Sequence, residues 1–241
     1  MERSFDPEIL DGNGVPEESA ARVHRNITAI HRLLGDTRCI VAALRSDPLP
    51  IRRVLDVGCG YGGTLDAVTR TLGITGIGID IMIPSQGRLV TSQPIIRADA
   101  VRDSLPVADV AFSLHTAHHL SDTELVQMIR NVGRSCRRFI LLDLVRAPLP
   151  LALFKIFIAP FVSRIAASDG QTSVRRAYTP AELNRLVAEA LADSGASFRH
   201  LVSALSLRQI VDISYPSNNG TAQIEVAGNM VPRQVPNPIL R

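Results

Sequence analysis

Apolar residues fall into two rhythms along this chain. Over residues 17–34, Val23, Ile27, Ile30 and Leu34 recur at helical spacing and Gly35 stops the run. Ile40, Val41 and Leu44 repeat that rhythm over Thr37–Arg45. From residue 53 the rhythm changes, and short apolar runs alternate with helical stretches. The runs predict strands over Arg53–Val57, Gly76–Asp80, Ile95–Ala98, Val110–Leu114 and Phe139–Asp143. Helices are predicted over Gly63–Leu72 and Asp122–Cys136, and from Thr179 to about Asp193. Ser197–Ala204 and Leu207–Ser214 read as two final strands. Strand and helix in alternation predict an α/β fold with a doubly wound, mostly parallel sheet.

Two helix starts carry cap chemistry. Ser121 precedes Glu124 by three positions, and Thr179-Pro180-Ala181-Glu182 offers a cap, a proline and an acid in order. Residues 81–93 contain Pro84 and Gly87 and are poor in helix signal, so a full second crossover helix is not expected. Residues 147–178 interrupt the alternation. Leu149 to Ala167 is almost wholly apolar but broken by Pro150, Lys155, Pro160 and Arg164, whereas a membrane span needs about 20 apolar residues with few charges. A buried or half-buried helix pair is expected there, forming an apolar wall beside the carboxyl end of the sheet. Asp169-Gly170 reads as a turn, and Arg175 and Arg176 as surface charges or ion-pair partners.

These patterns divide the chain into a helical extension or lid over 1–48, a sheet domain over 49–215 and an irregular tail over 216–241. The chain has 241 residues, enough for one domain with decoration. Met1 to Pro16 is polar and acidic, unlike a signal peptide. Cys39, Cys59 and Cys136 are scattered without metal spacing, as in a reduced, cytoplasmic protein. The net charge is +3, and Lys155 is the only lysine. No basic run interleaves with aromatics, which argues against nucleic acid as a partner. The apolar insert and the first helices offer a surface for a homodimer contact.

The densest chemistry lies at Val54-Leu55-Asp56-Val57-Gly58-Cys59-Gly60-Tyr61-Gly62-Gly63. About 20 residues on, a second apolar run ends in Asp80, the spacing by which an α/β sheet holds an adenosine-containing cofactor. Gly58, Gly60 and Gly63 fit the G-x-G-x-x-G of dinucleotide enzymes. Asp56, Gly58, Gly60 and Gly62 fit D-x-G-x-G-x-G instead. A pyrophosphate wants a helix N-terminus without a nearby carboxylate. S-adenosylmethionine (SAM) carries a sulfonium and an ammonium, so Asp56 favours SAM.

With these residues the chain resembles the class I SAM-dependent methyltransferases, over roughly 17–214 and most strongly over 50–145. That resemblance implies a Rossmann-like, seven-stranded sheet. It implies that Asp56, Gly58, Gly60 and Gly62 form the SAM loop, that Asp80 takes the ribose hydroxyls, and that Ile81 lies against adenine. It places Asp99 and Ala100 by the adenine amino group and His115 beside the methionine moiety. More narrowly, His118-His119, Asp143-Leu144-Val145-Arg146 and the run Asp169–Leu183 resemble bacterial methyltransferases of the ubiquinone, menaquinone or polyketide type.

Methyl transfer to oxygen needs positioning and a general base, and histidine serves near neutral pH. His119 or His118 is the expected base, with Asp143 orienting a histidine or binding the substrate. A metal among His115, His118 and His119 is not expected, because no fourth ligand is obvious. The expected activity is O-methylation of an apolar aromatic, quinol or polyketide-like small molecule. A cyclase of the same fold that binds SAM without transferring methyl, a C-methyltransferase, a non-catalytic partner subunit and a nicotinamide dehydrogenase are the alternatives.

Overall fold

The computed structural model describes residues 1–12, 15–84 and 88–216. The chain enters through helices α1 (Glu17–Leu34) and α2 (Asp36–Arg45), which meet at Gly35, held at φ +81°. Strands β1 (Arg53–Val57), β2 (Thr75–Asp80), β3 (Ile95–Arg97), β4 (Val110–Leu114) and β5 (Arg138–Leu144) follow, with α3 (Gly63–Leu72) and α4 (Asp122–Ser135) between them. Then come α5 (Pro148–Phe157), α6 (Arg164–Arg176), α7 (Pro180–Leu191), β6 (Ser197–Val202) and β7 (Arg208–Ser214).

The seven strands lie in the order β3-β2-β1-β4-β5-β7-β6. β1 to β5 pair in parallel, while β7 runs antiparallel to both β5 and β6. This is the Rossmann-like, mostly parallel architecture read from the sequence. The order reverses at β1 and β4, so the loops leaving their carboxyl ends diverge and open a crevice.

Alternation along β1 sorts its side chains between two cores. Leu55 and Val57 pack with Leu125, Met128 and Ile129 of α4 and Leu183 and Leu186 of α7. Val54 packs with Ile40, Val41 and Leu44 of α2 and Leu65 and Val68 of α3. Both faces are covered, which is why β4 and β5 read as continuous apolar runs. Both expected capping boxes form, at Ser121 with Glu124 and at Thr179 with Glu182.

Two features differ from the sequence reading or refine it. Asp169-Gly170 is no turn; it lies inside α6. The Asp169 carboxylate instead accepts the backbone N–H groups of Ile9 and Leu10, at 2.8 and 3.1 Å. Gly170 lets Phe154 of α5 pack flush on α6, since a Cβ there would stand 2.2 Å from Phe154 Cζ. Between β2 and β3 no α-helix occurs among the described residues. Leu149, Ile156, Phe157 and Phe161 remain exposed on the helix pair after β5. Among the described residues, no helix is long and apolar enough to cross a membrane. Residues 217–241, most of the expected irregular tail, lie outside the described residues.

Candidate active site

The crevice begins where β1 ends. Gly58, at φ +76°, turns the chain against β4, and a Cβ there would stand 2.3 Å from Thr116 Oγ1. The N–H groups of Gly58 and Cys59 both donate to Ile79 O of β2, at 2.9 and 3.1 Å. Gly60 N–H donates to Asp80 Oδ2 at 2.8 Å, tying the glycine turn to the acid at the end of β2. No atom lies within 4 Å of a Cβ built on Gly60, so the turn presents bare backbone to open space. Gly62, at φ +78°, begins α3.

The two acids of the motif are not equivalent. Asp80 is half-buried at the crevice, and its Oδ1 takes the Met82 N–H at 2.9 Å. Asp56 is buried beneath the turn. Burial and the charge of Asp80 raise its carboxyl well above the usual range, against a bond from the Leu65 backbone, and its Oδ2 has no partner. The sequence argument set Asp56 beside the ligand's cationic groups; in the structure its carboxyl lies buried under the glycine turn.

Ile81 is 61% exposed just past Asp80, an apolar side chain with a free face. At the end of β3, Asp99 folds into its own turn: Oδ1 accepts Val101 N–H at 2.8 Å. Ala100, half-buried beside it, is fixed through its carbonyl by Asn131 Nδ2 at 2.9 Å. Asp56, Gly58, Gly60, Gly62, Asp80, Ile81, Asp99 and Ala100 thus line or underlie one end of the sheet. A bare-backbone turn, an accessible acid and an uncovered apolar side chain fit an adenosine-bearing ligand.

Beyond β4 the three histidines part ways. His115 takes φ +57°, and its N–H donates to Leu142 O at 2.9 Å. Its Nε2 lies 3.1 Å from Asp36 Oδ2, its Nδ1 3.6 Å from Asp143 Oδ1, and its ring 4.4 Å from that of His31 on α1. Burial opposes its charge, but the two carboxylates prevail and raise its pKa. His118 is buried on a single 3-10 turn, Ala117–His119. Its Nδ1 meets Asp143 Oδ1 at 2.8 Å and its Nε2 lies 3.5 Å from Glu8 Oε1. Despite burial, those carboxylates push it up to about 10, while the histidines hold Asp143 well below the carboxylate range. His119 alone of the three reaches the rim, with a third of its side chain exposed, Nδ1 3.3 Å from Asp11 Oδ2 and Nε2 3.9 Å from Glu8 Oε1.

Several of these partners were not singled out in the sequence. Residues 1–12 form a strap over the histidine turn and α6. Arg3 stacks 3.7 Å above the Tyr178 ring and donates to Leu120 O and Arg176 O, both at 2.7 Å. Arg146 reaches back to Met1 O at 3.0 Å. Glu8 accepts from Ser173 Oγ at 2.7 Å, and Asp11 pairs with Arg176 at 3.2 Å. Arg176 also donates to the carbonyls of His118 and His119, so it supports the histidine turn rather than solvent. Asp36 and His31 join from the first two helices. The acidic character of the first residues was visible, but their destination is set by contacts far along the chain.

Residues 55–139 match the family described as "Methyltransferase domain". No curated protein sequence matches the chain. Among solved structures, the fold is similar to that of the plantazolicin methyltransferase BpumL in complex with SAH, at TM-score 0.66 and 12% identity, covering 86% of this chain and 93% of that one. The plantazolicin methyltransferase BamL superposes with TM-score 0.64 at 15% identity, covering 83% and 91%. Human N-acetylserotonin methyltransferase in complex with SAM gives TM-score 0.60 at 14% identity, covering 89% of this chain and 63% of that one. Sheet order, glycine turn and the match over residues 55–139 together make the chain similar to the class I SAM-dependent methyltransferases, whose fold it shares.

Proposed function

We propose that this enzyme methylates a hydroxyl group of an apolar aromatic, quinol or polyketide-like small molecule. The observation that carries the reading is the bond from Gly60 N–H to Asp80 Oδ2 beside the open space above Gly60. A ligand's ribose hydroxyls would meet Asp80 there, its adenine would cover Ile81 and approach Asp99 and Ala100, and its methionine end would pass over Gly58 toward His115. Bound SAM supplies an activated methyl group, which passes to the acceptor oxygen as the carbon–sulfur bond breaks. The enzyme's own part is to align the two reactants, exclude water and receive the hydroxyl proton.

His119 is the histidine placed to meet that hydroxyl. His118 already faces carboxylates at both ring nitrogens and is held charged, so its role is structural, and Asp143 orients it. The apolar segment after β5 supports an apolar acceptor, and α1, α2 and the strap form the lid. Fold neighbours named for plantazolicin and N-acetylserotonin agree with an organic acceptor.

Calorimetry with SAM and S-adenosylhomocysteine on the wild type and Asp80→Ala tests the cofactor end. Binding lost in the variant supports the assignment; equal binding overturns it. Labelled-methyl transfer to a panel of phenols and quinols tests the acceptor. Product formed without S-adenosylhomocysteine would establish the cyclase alternative.

A further inference from the structure

We propose that Glu8, His118 and His119 form a binding site for a divalent transition-metal ion at the acceptor end of the crevice.

One ligand atom from each of the three residues lies within 4.8 Å of the others. Glu8 Oε1 stands 3.5 Å from His118 Nε2 and 3.9 Å from His119 Nε2. An ion bonded to nitrogen and oxygen at about 2.0–2.2 Å needs its ligands roughly 3–3.5 Å apart, so the His118–Glu8 contact already fits and the partly exposed His119 must move inward to close the site.

Orientation is the stronger sign. Each imidazole turns Nε2 toward Glu8 and has a carboxylate at Nδ1: Asp143 at 2.8 Å behind His118, and Asp11 at 3.3 Å behind His119. A carboxylate behind the distal nitrogen fixes the tautomer and aims the other lone pair, as in the outer shell of metal-bound histidines. Here two such lone pairs converge on an anionic oxygen, which is repulsive unless something positive lies between. A proton on each ring would answer the two contacts separately. A metal ion answers both. The Ser173 hydroxyl holds Glu8 in place from the far side at 2.7 Å.

Charge points the same way. Glu8, Asp11 and Asp143 surround two imidazoles, and Arg176 pairs with Asp11 alone. Once an ion displaces the proton of His118, Glu8, Asp11 and Asp143 less Arg176 leave two negative charges, which a divalent ion balances. Two imidazoles and one carboxylate suit Zn²⁺, Mn²⁺, Co²⁺ or Fe²⁺ better than Ca²⁺ or Mg²⁺. Three protein ligands leave coordination positions open, and the partial exposure of His119 lets water or an acceptor reach them. The fourth ligand missing from the sequence reading is then the acceptor oxygen itself, or water before it binds.

This inference rests on the acceptor end proposed above; it changes how the hydroxyl proton leaves and makes His118 a ligand, neutral once the ion displaces its proton. An acceptor hydroxyl bound to the ion is acidified and loses its proton to solvent. The oxygen–carbon bond then forms as the carbon–sulfur bond breaks, and His119 holds the ion instead of taking the proton.

The test is calorimetric titration of the chelator-stripped protein with Zn²⁺ and with Mn²⁺, without SAM or acceptor, alongside thermal melts with and without each ion. One ion per chain is expected, with a rise in melting temperature. Glu8→Gln and the rim variant His119→Ala should bind roughly 10–100-fold more weakly. Asp80→Ala, at the other end of the crevice, should bind as the wild type does. Absence of binding to the wild type, or equal binding to a folded Glu8→Gln, overturns the site. Methyl transfer that survives stripping with no ion bound overturns the ion's part in the reaction and leaves His119 as the base. Ion binding without transfer to any hydroxyl acceptor counts against the proposed reaction and not against the site.

Discussion

Asp143 grips His118 twice, with Oδ2 accepting its backbone N–H and Oδ1 meeting Nδ1, both at 2.8 Å. The pair is buried at the end of β5, so the ring's charge has little water to answer it. Asp143→Asn keeps the shape and removes the counter-charge. Removing one partner of a buried pair costs about 3–5 kcal/mol. Urea unfolding of the metal-free protein should show a loss of that order, and an unchanged midpoint would sink the structural role given to the pair.

Gly58 and Gly60 should separate folding from binding. Both hold positive φ, which costs a side chain roughly 1–2 kcal/mol. Only at Gly58 does a Cβ also collide, 2.3 Å from Thr116 Oγ1. Gly58→Ala is therefore expected to melt well below Gly60→Ala. Gly60→Ala should fold, yet its new methyl group occupies the space assigned to cofactor and should weaken SAM binding at least about tenfold, or 1.4 kcal/mol. A Gly60→Ala protein that binds SAM as the wild type does would move the cofactor away from this turn.

His31 and His115 give opposite pH dependences. Burial, followed by the charge of His115, lowers His31 from 6.5 to about 3; His118 adds to this, and Asp36 and Asp143 oppose it. Between those values the unfolded chain binds a proton that the folded one refuses. The contribution of His31 is thus present above pH 6.5 and is lost as pH falls. His115 is raised, so its contribution is present below 6.5 and is lost as pH rises through its folded value. His31→Leu should flatten the stability decline between pH 6.5 and 5 by roughly 1 kcal/mol per pH unit. Urea midpoints at pH 5, 6 and 7 read this directly, and parallel curves for variant and wild type would refute it.

Gly170 and Phe154 should be coupled. Gly170→Ala overfills the α5–α6 contact and should cost about 1–3 kcal/mol. Shortening the opposing ring with Phe154→Leu should recover much of that loss. Additive effects in the double-mutant cycle would show that the two side chains do not share the space.

How much was legible follows from how local each signal is. The glycine turn, Asp80 and both capping boxes depend on residues a few positions apart or on one crossover, and they fall where the sequence places them. Asp169-Gly170 misled because those residue types favour turns in isolation. Inside α6 the Asp169 carboxylate is engaged by Ile9 and Leu10, and Gly170 makes room for Phe154. His118 and His119 are neighbours with the same chemistry in sequence. Only the turn Ala117–His119 buries one and leaves the other at the rim. Glu8 and Asp11 carry no motif, and their partners lie more than a hundred residues away.

The strap also fixes an order of assembly. Arg3 bonds across 173 residues to Arg176, and Ile9 across 160 to Asp169. Contacts so distant gain nothing until the long intervening loop has been closed by the sheet and helices between them. During synthesis residues 1–12 emerge before Arg176 and find their seat only once it has been made. The histidine turn is thus completed late by a segment made long before it, and every nascent chain carries Glu8 and Asp11 unseated until then.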